Sequence, residues 1–338
     1  MPLAIEQCLA EGGISSDGRE VDGIAVTQGP GMPGCLSVGL TTAKTLAATW
    51  KKPLIPVHHM EAHALTPFLT ENENTKEPLA FPFLTLLLSG GHTMLVLASG
   101  VGRYKILAST SDDSIGDAFD KAAKHLAIPT DWLRQSPGAS LEAFAAQAPP
   151  PTSPKDAIPR FTLPLKGKPE FSYSGIKSGF KRRLDEAVAA AGCENVEELP
   201  TATRQMYARA FQAAAFAQVE DKLGLVLARP NEEIESEMGK KDVVRPQEWD
   251  SAAGLDDCKH LVVSGGVAAN SELRRRLRSI WKEEEGRHLV FPPIEYCVDN
   301  AAMIAHLGLL LYASHCPPRE EAFAALPRGK WSMEDLAS

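Results

Sequence analysis

Residues 21–63 read VDGIAVTQGPGMPGCLSVGLTTAKTLAATWKKPLIPVHHMEAH, and this stretch decides the fold. Val21 to Thr27 is a short apolar run that ends in Gln28-Gly29-Pro30-Gly31-Met32-Pro33-Gly34, a strand running into a tight turn. Leu36 to Trp50 carries helical periodicity, Pro53 to Val57 reads as a buried strand, and His59 to Leu69 reads as a helix. Strand, helix, strand, helix predicts a parallel α/β sheet.

The second helix carries His59 and His63, which lie on one face, about 40° apart by the helical rotation. Such a pair is either two ordinary satisfied histidines or two ligands of one divalent ion whose third ligand comes from elsewhere. Asp299, in Cys297-Val298-Asp299-Asn300, is the candidate third ligand. Three protein ligands with an open position make a working metal rather than a structural one. Two imidazoles and a carboxylate suit iron or zinc. A zinc-protease helix places its Glu next to the first His. Here Glu61 sits at i+2, about 200° round from His59, so it points away from the ion.

Outward from this stretch, Phe83 to Leu88, Met94 to Ala98 and Tyr104 to Ala108 form an antiparallel meander. Ile115 to Leu126, Ser174 to Ala191 and Thr201 to Leu227 read as helices, and Pro129 to Pro169 as irregular chain. Residues 230–253 are charged and poor in apolar side chains, a disordered surface insertion. His260 to Ser264 is a strand into Gly265-Gly266, followed by a helix from Asn270, a strand Leu289 to Phe291 and a helix Asn300 to Tyr312.

Composition narrows the class. With 338 residues, 44% hydrophobic and 23% charged, the chain has room for two cores in an ordinary globular protein. No apolar run approaches ~18 residues, so no membrane span is expected. Met1 to Leu9 lacks the basic flank and apolar core of a signal peptide. The six Cys are scattered without a Cys-x-x-Cys, which points to free thiols. The net charge of −8 argues against a generic nucleic-acid binder but leaves room for a local basic patch. Lys166, Lys168, Lys177, Lys181, Arg182 and Arg183 are one such cluster and Arg274, Arg275, Arg276 and Arg278 another; each, taken alone, reads more readily as a solvated helix face.

Three glycine-rich turns, Gly29 to Gly34, Ser89-Gly90-Gly91 and Ser264-Gly265-Gly266-Val267, would let backbone approach a ligand and offer bare N–H groups to an anion. Asp120, in Gly116-Asp117-Ala118-Phe119-Asp120-Lys121, suits ribose hydroxyls or the positive end of a helix dipole. Asn270 suits a nucleotide or a helix cap.

Taken in order, Val57-His58-His59-Met60-Glu61-Ala62-His63, Ser89-Gly90-Gly91-His92-Thr93, Gly116 to Lys121, Phe171-Ser172-Tyr173-Ser174-Gly175-Ile176-Lys177, Gly265-Gly266-Val267-Ala268-Ala269-Asn270 and Val298-Asp299-Asn300 resemble the motifs of one family. It is the Kae1/TsaD/Qri7 group, the tRNA N6-adenosine threonylcarbamoyltransferases, and the His-His-Met-Glu-Ala-His form with the acidic insertion looks most like its mitochondrial Qri7-type branch. The resemblance implies an α/β, actin/Hsp70/sugar-kinase-like (ASKHA) fold of two ribonuclease-H-like lobes around a cleft. Residues 1–108 plus 299–330 would form the first lobe and 109–298 the second. It implies transfer of threonylcarbamoyl from threonylcarbamoyl-AMP to N6 of the adenosine 3′ to the anticodon, in tRNAs reading A-starting codons. It implies His59, His63 and Asp299 as ligands of one iron or zinc ion, and Leu87, Leu88, Ser89, Gly90, Gly91, Asp120, Gly138 and Asn270 as the substrate-binding set. It implies a homodimer in the mitochondrion, or otherwise the cytoplasm, with no membrane partner.

The sequence departs from the family twice. Family members open with a strand carrying an Ile-Glu-Thr-Ser-Cys-Asp-Glu-Thr-like loop, whereas this sequence starts at the following helix, Pro2 to Leu9, so the first lobe is expected to lack its N-terminal β-hairpin. Ser136-Pro137-Gly138-Ala139 stands where the family has Tyr-Pro-Gly-Gly, and Ala139 puts a Cβ where the family's second Gly approaches the nucleotide. A catalytically inactive scaffold of the same fold is the competing reading.

Overall fold

The computed structural model describes residues 1–70, 77–129, 136–150, 161–228, 245–250, 252, 254–282, 286–314 and 316–337. In chain order the elements begin with α1 (Pro2–Glu11), β1 (Ile24–Gly29), α2 (Pro33–Trp50), β2 (Leu54–His58) and α3 (His59–Thr70). Next come β3 (Phe83–Leu88), β4 (Thr93–Gly100), β5 (Arg103–Thr110), α4 (Ile115–His125), α5 (Pro137–Ala146), β6 (Glu170–Phe171), α6 (Ser174–Ala190) and α7 (Thr201–Leu227). The chain ends with α8 (Gln247–Asp250), β7 (His260–Ser264), α9 (Ser271–Ile280), β8 (His288–Val290), α10 (Ile294–Cys297), α11 (Ala301–Ser314) and α12 (Arg319–Ala324). They fall into two compact units, one of Met1–Phe83, Ala98–Lys105 and Phe291–Ser338, the other of Leu84–Leu97 and Ile106–Val290.

In the first unit β1 and β2 pair in parallel, Ile24 opposite Leu54 and Thr27 opposite Val57. Helix α2 makes the crossover that a parallel pair requires. Pro33 starts it, where a missing N–H costs nothing, and Lys51 ends it in the left-handed conformation at φ 56°. Pro56 is tolerated inside β2 because both strands of this two-stranded sheet are edges. Ala43, Ala47, Leu54 and Ala322 form a core with Ile24, Val26 and Phe323 packed against it. Helix α11 comes so close to β1 that a Cβ at Gly308 would lie 2.5 Å from that of Ala25.

The second unit is built on a six-stranded sheet in the order β6-β5-β4-β3-β7-β8. Strand β3 runs parallel to β7, β7 to β8 and β5 to β6. The β3–β4 and β4–β5 connections, 89–92 and 101–102, are too short for a crossover, so those neighbours are antiparallel and the sheet is mixed. Every residue of β3 and β7 is buried, as central strands covered on both faces must be. Three helices share an aromatic cluster: Phe119 of α4 lies 5.6 Å from Phe211 and 5.5 Å from Phe216 of α7, and Phe180 of α6 lies 5.0 Å from Phe211.

Two expectations need correction. Within the segment read as irregular, residues 130–135 and 151–160 lie outside the described residues, but Pro137–Ala146 is the helix α5. Ser136 caps it by accepting the Ala139 N–H, and Pro137 opens it; the flanking prolines hid an Ala-rich helix former. Of the expected insertion, 230–244, 251 and 253 lie outside the described residues. Its far end is not solvated: Trp249 is buried, and buried Arg245 donates to the Val226 carbonyl at 3.1 Å and pairs with Asp256 at 2.8 Å. The charge count of that window concealed two anchors.

Candidate metal centre and ligand turns

Strand β2 ends at His58 and α3 begins at His59 with no intervening loop, so the fold sets both histidines at the strand's exit. Asp299 comes from the short link between α10 and α11. Its Oδ1 lies 2.9 Å from His63 Nε2 and 3.4 Å from His59 Nε2. The three ligand atoms all fall within 4.8 Å of one another. His63 is buried, whereas the Asp299 side chain is 77% exposed, so the group is open on one side. Hydrogen bonds from His59 and then His63 hold the Asp299 carboxyl well below the usual carboxylate range. His63 Nδ1 is buried without a hydrogen-bond partner among the described residues. Two imidazoles and an anionic carboxylate meeting at one point, open to solvent, fit a divalent ion.

Glu61 faces elsewhere. Its Oε1 accepts the Gly102 N–H at 2.7 Å and the Tyr104 hydroxyl at 3.0 Å, and burial pushes its carboxyl above the ordinary range. A cavity of about 470 Å³ adjoins the metal group, with Met32, Cys35, Leu36, His59, Asp299 and Ile304 in its wall.

The glycine turns and acids of the expected substrate set lie in the second unit. Leu87 and Leu88 are fully buried, so what they can offer a ligand is backbone. The Ser89-Gly90-Gly91 turn is fixed from within: Ser89 Oγ accepts the N–H groups of Gly91 at 3.3 Å and His92 at 3.0 Å. It is also fixed from α4, where the Ser114 hydroxyl donates to the Gly90 carbonyl at 2.5 Å and the Gly116 N–H to that of Ser89 at 3.2 Å. Gly116 must be glycine, since a Cβ there would lie 2.7 Å from the Ser89 oxygen. Gly265, at φ 94°, would put a Cβ 2.4 Å from the Leu88 carbonyl. Asp120 and Gly138 meet directly: Asp120 Oδ1 accepts the Gly138 N–H at 2.9 Å, and burial raises the Asp120 carboxyl. Buried Asn270 caps α9, its Oδ1 accepting the Leu273 N–H at 3.0 Å and its Nδ2 donating to Gln212 at 3.2 Å.

Lys177 pairs with Asp113, which also meets Lys121 at 3.4 Å. Asp112 gathers Ser172 Oγ at 2.6 Å, Tyr173 N at 2.8 Å and Ser174 Oγ at 2.5 Å. The Phe171 to Lys177 motif is thus locked onto the Asp112-Asp113 turn. Sequence reasoning missed both aspartates; their signal was two acids just before a capped helix and two serines in a motif with no assigned role.

Comparison with known proteins gives the family. The profile of the TsaD family, tRNA N6-adenosine threonylcarbamoyltransferase, matches residues 1–306, and the chain belongs to that family. The tRNA N6-adenosine threonylcarbamoyltransferase of Chelativorans sp. (strain BNC1) is 41% identical over 336 residues, 99% of this chain and 79% of its own length. That of Rhizobium leguminosarum bv. trifolii (strain WSM2304) is 36% identical over 335 residues, covering 98% of this chain and 78% of its own. Among solved structures, full-length HypF in its phosphate- and nucleotide-bound form superposes with a TM-score of 0.50 at 14% identity. The match covers 81% of this chain and 44% of HypF and shows a shared fold.

Proposed function

We propose that this chain transfers threonylcarbamoyl from threonylcarbamoyl-AMP to N6 of the adenosine 3′ to the anticodon, in tRNAs that read A-starting codons. The observation that supports it most is the convergence of His59, His63 and Asp299, which fits a working metal in a chain of this transferase family. In the reaction the N6 amine forms a C–N bond to the carbamoyl carbon. The C–O bond to AMP breaks, its electron pair leaves with the phosphate, and an N6 proton passes to solvent. An ion held by His59, His63 and Asp299, iron or zinc, would supply Lewis-acid stabilisation of charge on carbonyl or phosphate oxygens. The Ser89 to Gly91 backbone would approach the acyl-adenylate, Asp120 and Gly138 its ribose side, and the Asn270 turn its adenosine. An exocyclic amine is a poor nucleophile, so orientation by these turns must supply much of the rate.

Three finer readings rest on motif resemblance: the ASKHA architecture of two ribonuclease-H-like lobes, a Qri7-type mitochondrial enzyme, and a homodimer. A monomer by light scattering, or a tagged gene product outside mitochondria, would overturn the latter two.

The test is transfer of radiolabelled threonylcarbamoyl from threonylcarbamoyl-AMP to unmodified tRNA. We expect label in tRNA with the chain and none with the His59→Ala/His63→Ala double variant. No transfer by the parent chain would reject the enzyme and leave an inactive scaffold of the same fold.

A further inference from the structure

The family profile ends at residue 306, while the alignments to the relatives run over nearly the whole chain, and a C-terminal segment past residue 306 lies against the strand and turn that carry the histidines. After α12 the chain runs along β1. Lys44 Nζ donates to the Ala325 carbonyl at 2.7 Å, and Gln28 Nε2 to that of Leu326 at 3.1 Å. The Arg328 N–H donates to the Gln28 carbonyl at 2.9 Å and the Gly31 N–H to that of Gly329 at 3.3 Å. The approach dictates a residue type, because a Cβ at Gly29 would lie 2.2 Å from the Arg328 carbonyl oxygen. That use of Gly29 is structural rather than ligand-binding.

The segment finishes on Trp331. Its carbonyl lies 3.2 Å from His58 Nε2, and its ring meets the His58 imidazole edge-on with centroids 4.7 Å apart. The Arg328 guanidinium sits 4.3 Å from the same indole. His58 directly precedes the first ligand. Its Nδ1 accepts the Glu61 N–H at 3.3 Å, one of the first-turn donors that a helix leaves unpaired. A backbone N–H can only donate, so Nδ1 is bare and the ring proton sits on Nε2, aimed at the Trp331 carbonyl. One imidazole, 1% exposed, therefore couples the C-terminal segment to the turn of α3 that presents His59 and His63.

We propose that Leu326–Trp331 is a positioning strap for the metal centre, acting through His58. It holds the first turn of α3 at the angle where both imidazoles meet Asp299. Groups that hydrogen-bond a ligand directly are worth about 10–100-fold in metal affinity, and that range is the scale for a strap that acts through the backbone of the ligand helix. The inference rests on the reading of His59, His63 and Asp299 as the ligand set.

The experiment titrates the metal-free full chain with Co²⁺ alone, following its visible absorption, beside thermal unfolding of the same metal-free proteins. Trp331→Ala and His58→Ala should weaken Co²⁺ binding about 10–100-fold and shift the visible bands. Trp331→Ala and Trp331→Phe both keep the backbone carbonyl at 331, so Trp331→Phe, which also keeps a ring against His58, should stay close to the parent. His58→Asn supplies a capping side chain too short to reach Trp331; it should recover thermal stability over His58→Ala while Co²⁺ binding stays weak. This last variant keeps the test decisive if Trp331→Ala fails to fold. Parent-like Co²⁺ affinity and spectrum in the folded variants would overturn the strap, as would full recovery of binding by His58→Asn, which would assign the effect to the cap alone. A parent chain that binds no Co²⁺ would overturn the metal reading and this one with it.

Discussion

The Tyr104 hydroxyl donates to Glu61 Oε1 at 3.0 Å inside the first unit, and that bond turns the one carboxylate of the His59 to His63 turn away from the ligand face. The same oxygen takes the Gly102 N–H, so a buried carboxylate ties α3 to the β4–β5 turn. Glu61→Ala would strand a buried hydroxyl and a backbone N–H, and we expect a loss of about 2–4 kcal/mol in urea unfolding. Glu61→Gln keeps the acceptor and should lose less. Because burial raises the Glu61 carboxyl, the folded protein holds that proton more tightly than the unfolded chain. Stability from this group is therefore greatest at low pH and declines as pH climbs from about 4 through the raised value. The stability of Glu61→Gln relative to the parent should accordingly improve across that rise; a constant difference would count against the assignment.

Metal removal separates the ligands from their neighbours. Chelation should abolish transfer, and Fe²⁺ or Zn²⁺ should restore it. His63→Ala removes the most buried of the three ligands and should leave no bound metal by elemental analysis. Asp299→Asn keeps the shape but loses the anion and should bind metal more weakly. Stoichiometric metal in His63→Ala would show that the ion sits elsewhere.

Much of this fold could be read from pattern. Phe83–Leu88, His260–Ser264 and Thr201–Leu227 stand where an apolar run or a long helical period put them, because central strands and a core helix are defined by what they bury. The spacing of His59 and His63 put them on one helix face but fitted two ordinary histidines as well as two ligands; their convergence with Asp299 came from the fold. Helix α5 was hidden among prolines, and Trp249 among charges. The strap was invisible for a different reason: its bonds run largely through the carbonyls of Leu326, Gly329 and Trp331, and backbone partners leave no mark in residue type. Only Gly29, which must lack a Cβ, hinted at it. Asp112 was lost likewise, because what it accepts includes the N–H of Tyr173 far along the chain.

The Ser89 to Gly91 turn can be probed without touching it. A methyl at Gly116 would press on the Ser89 oxygen and on Gly90 Cα, 2.8 Å away, and backbone cannot swing aside as a side chain can. Gly116→Ala should cost about 1–3 kcal/mol of stability. If the turn holds the acyl-adenylate, the KM for threonylcarbamoyl-AMP should rise more than that for tRNA. Equal effects on both substrates would detach the turn from the adenylate.

Asp113 offers the opposite pH signature to Glu61. Its hydrogen bond from Lys177 holds the carboxyl below the usual range, with Lys121 adding to the effect, and the side chain is 23% exposed. A lowered carboxylate contributes stability that is fully present above its unfolded value, near 4, and is lost as pH falls through the lower folded value. Asp113→Asn should therefore cost about 1–3 kcal/mol at pH 7 and converge on the parent as pH drops below about 3. Lys177→Met should reproduce the loss at pH 7, and combining the two should cost less than their sum, since they share one bond. Additive losses would mean that the pair is not coupled and that the Phe171 to Lys177 motif is held by Asp112 alone.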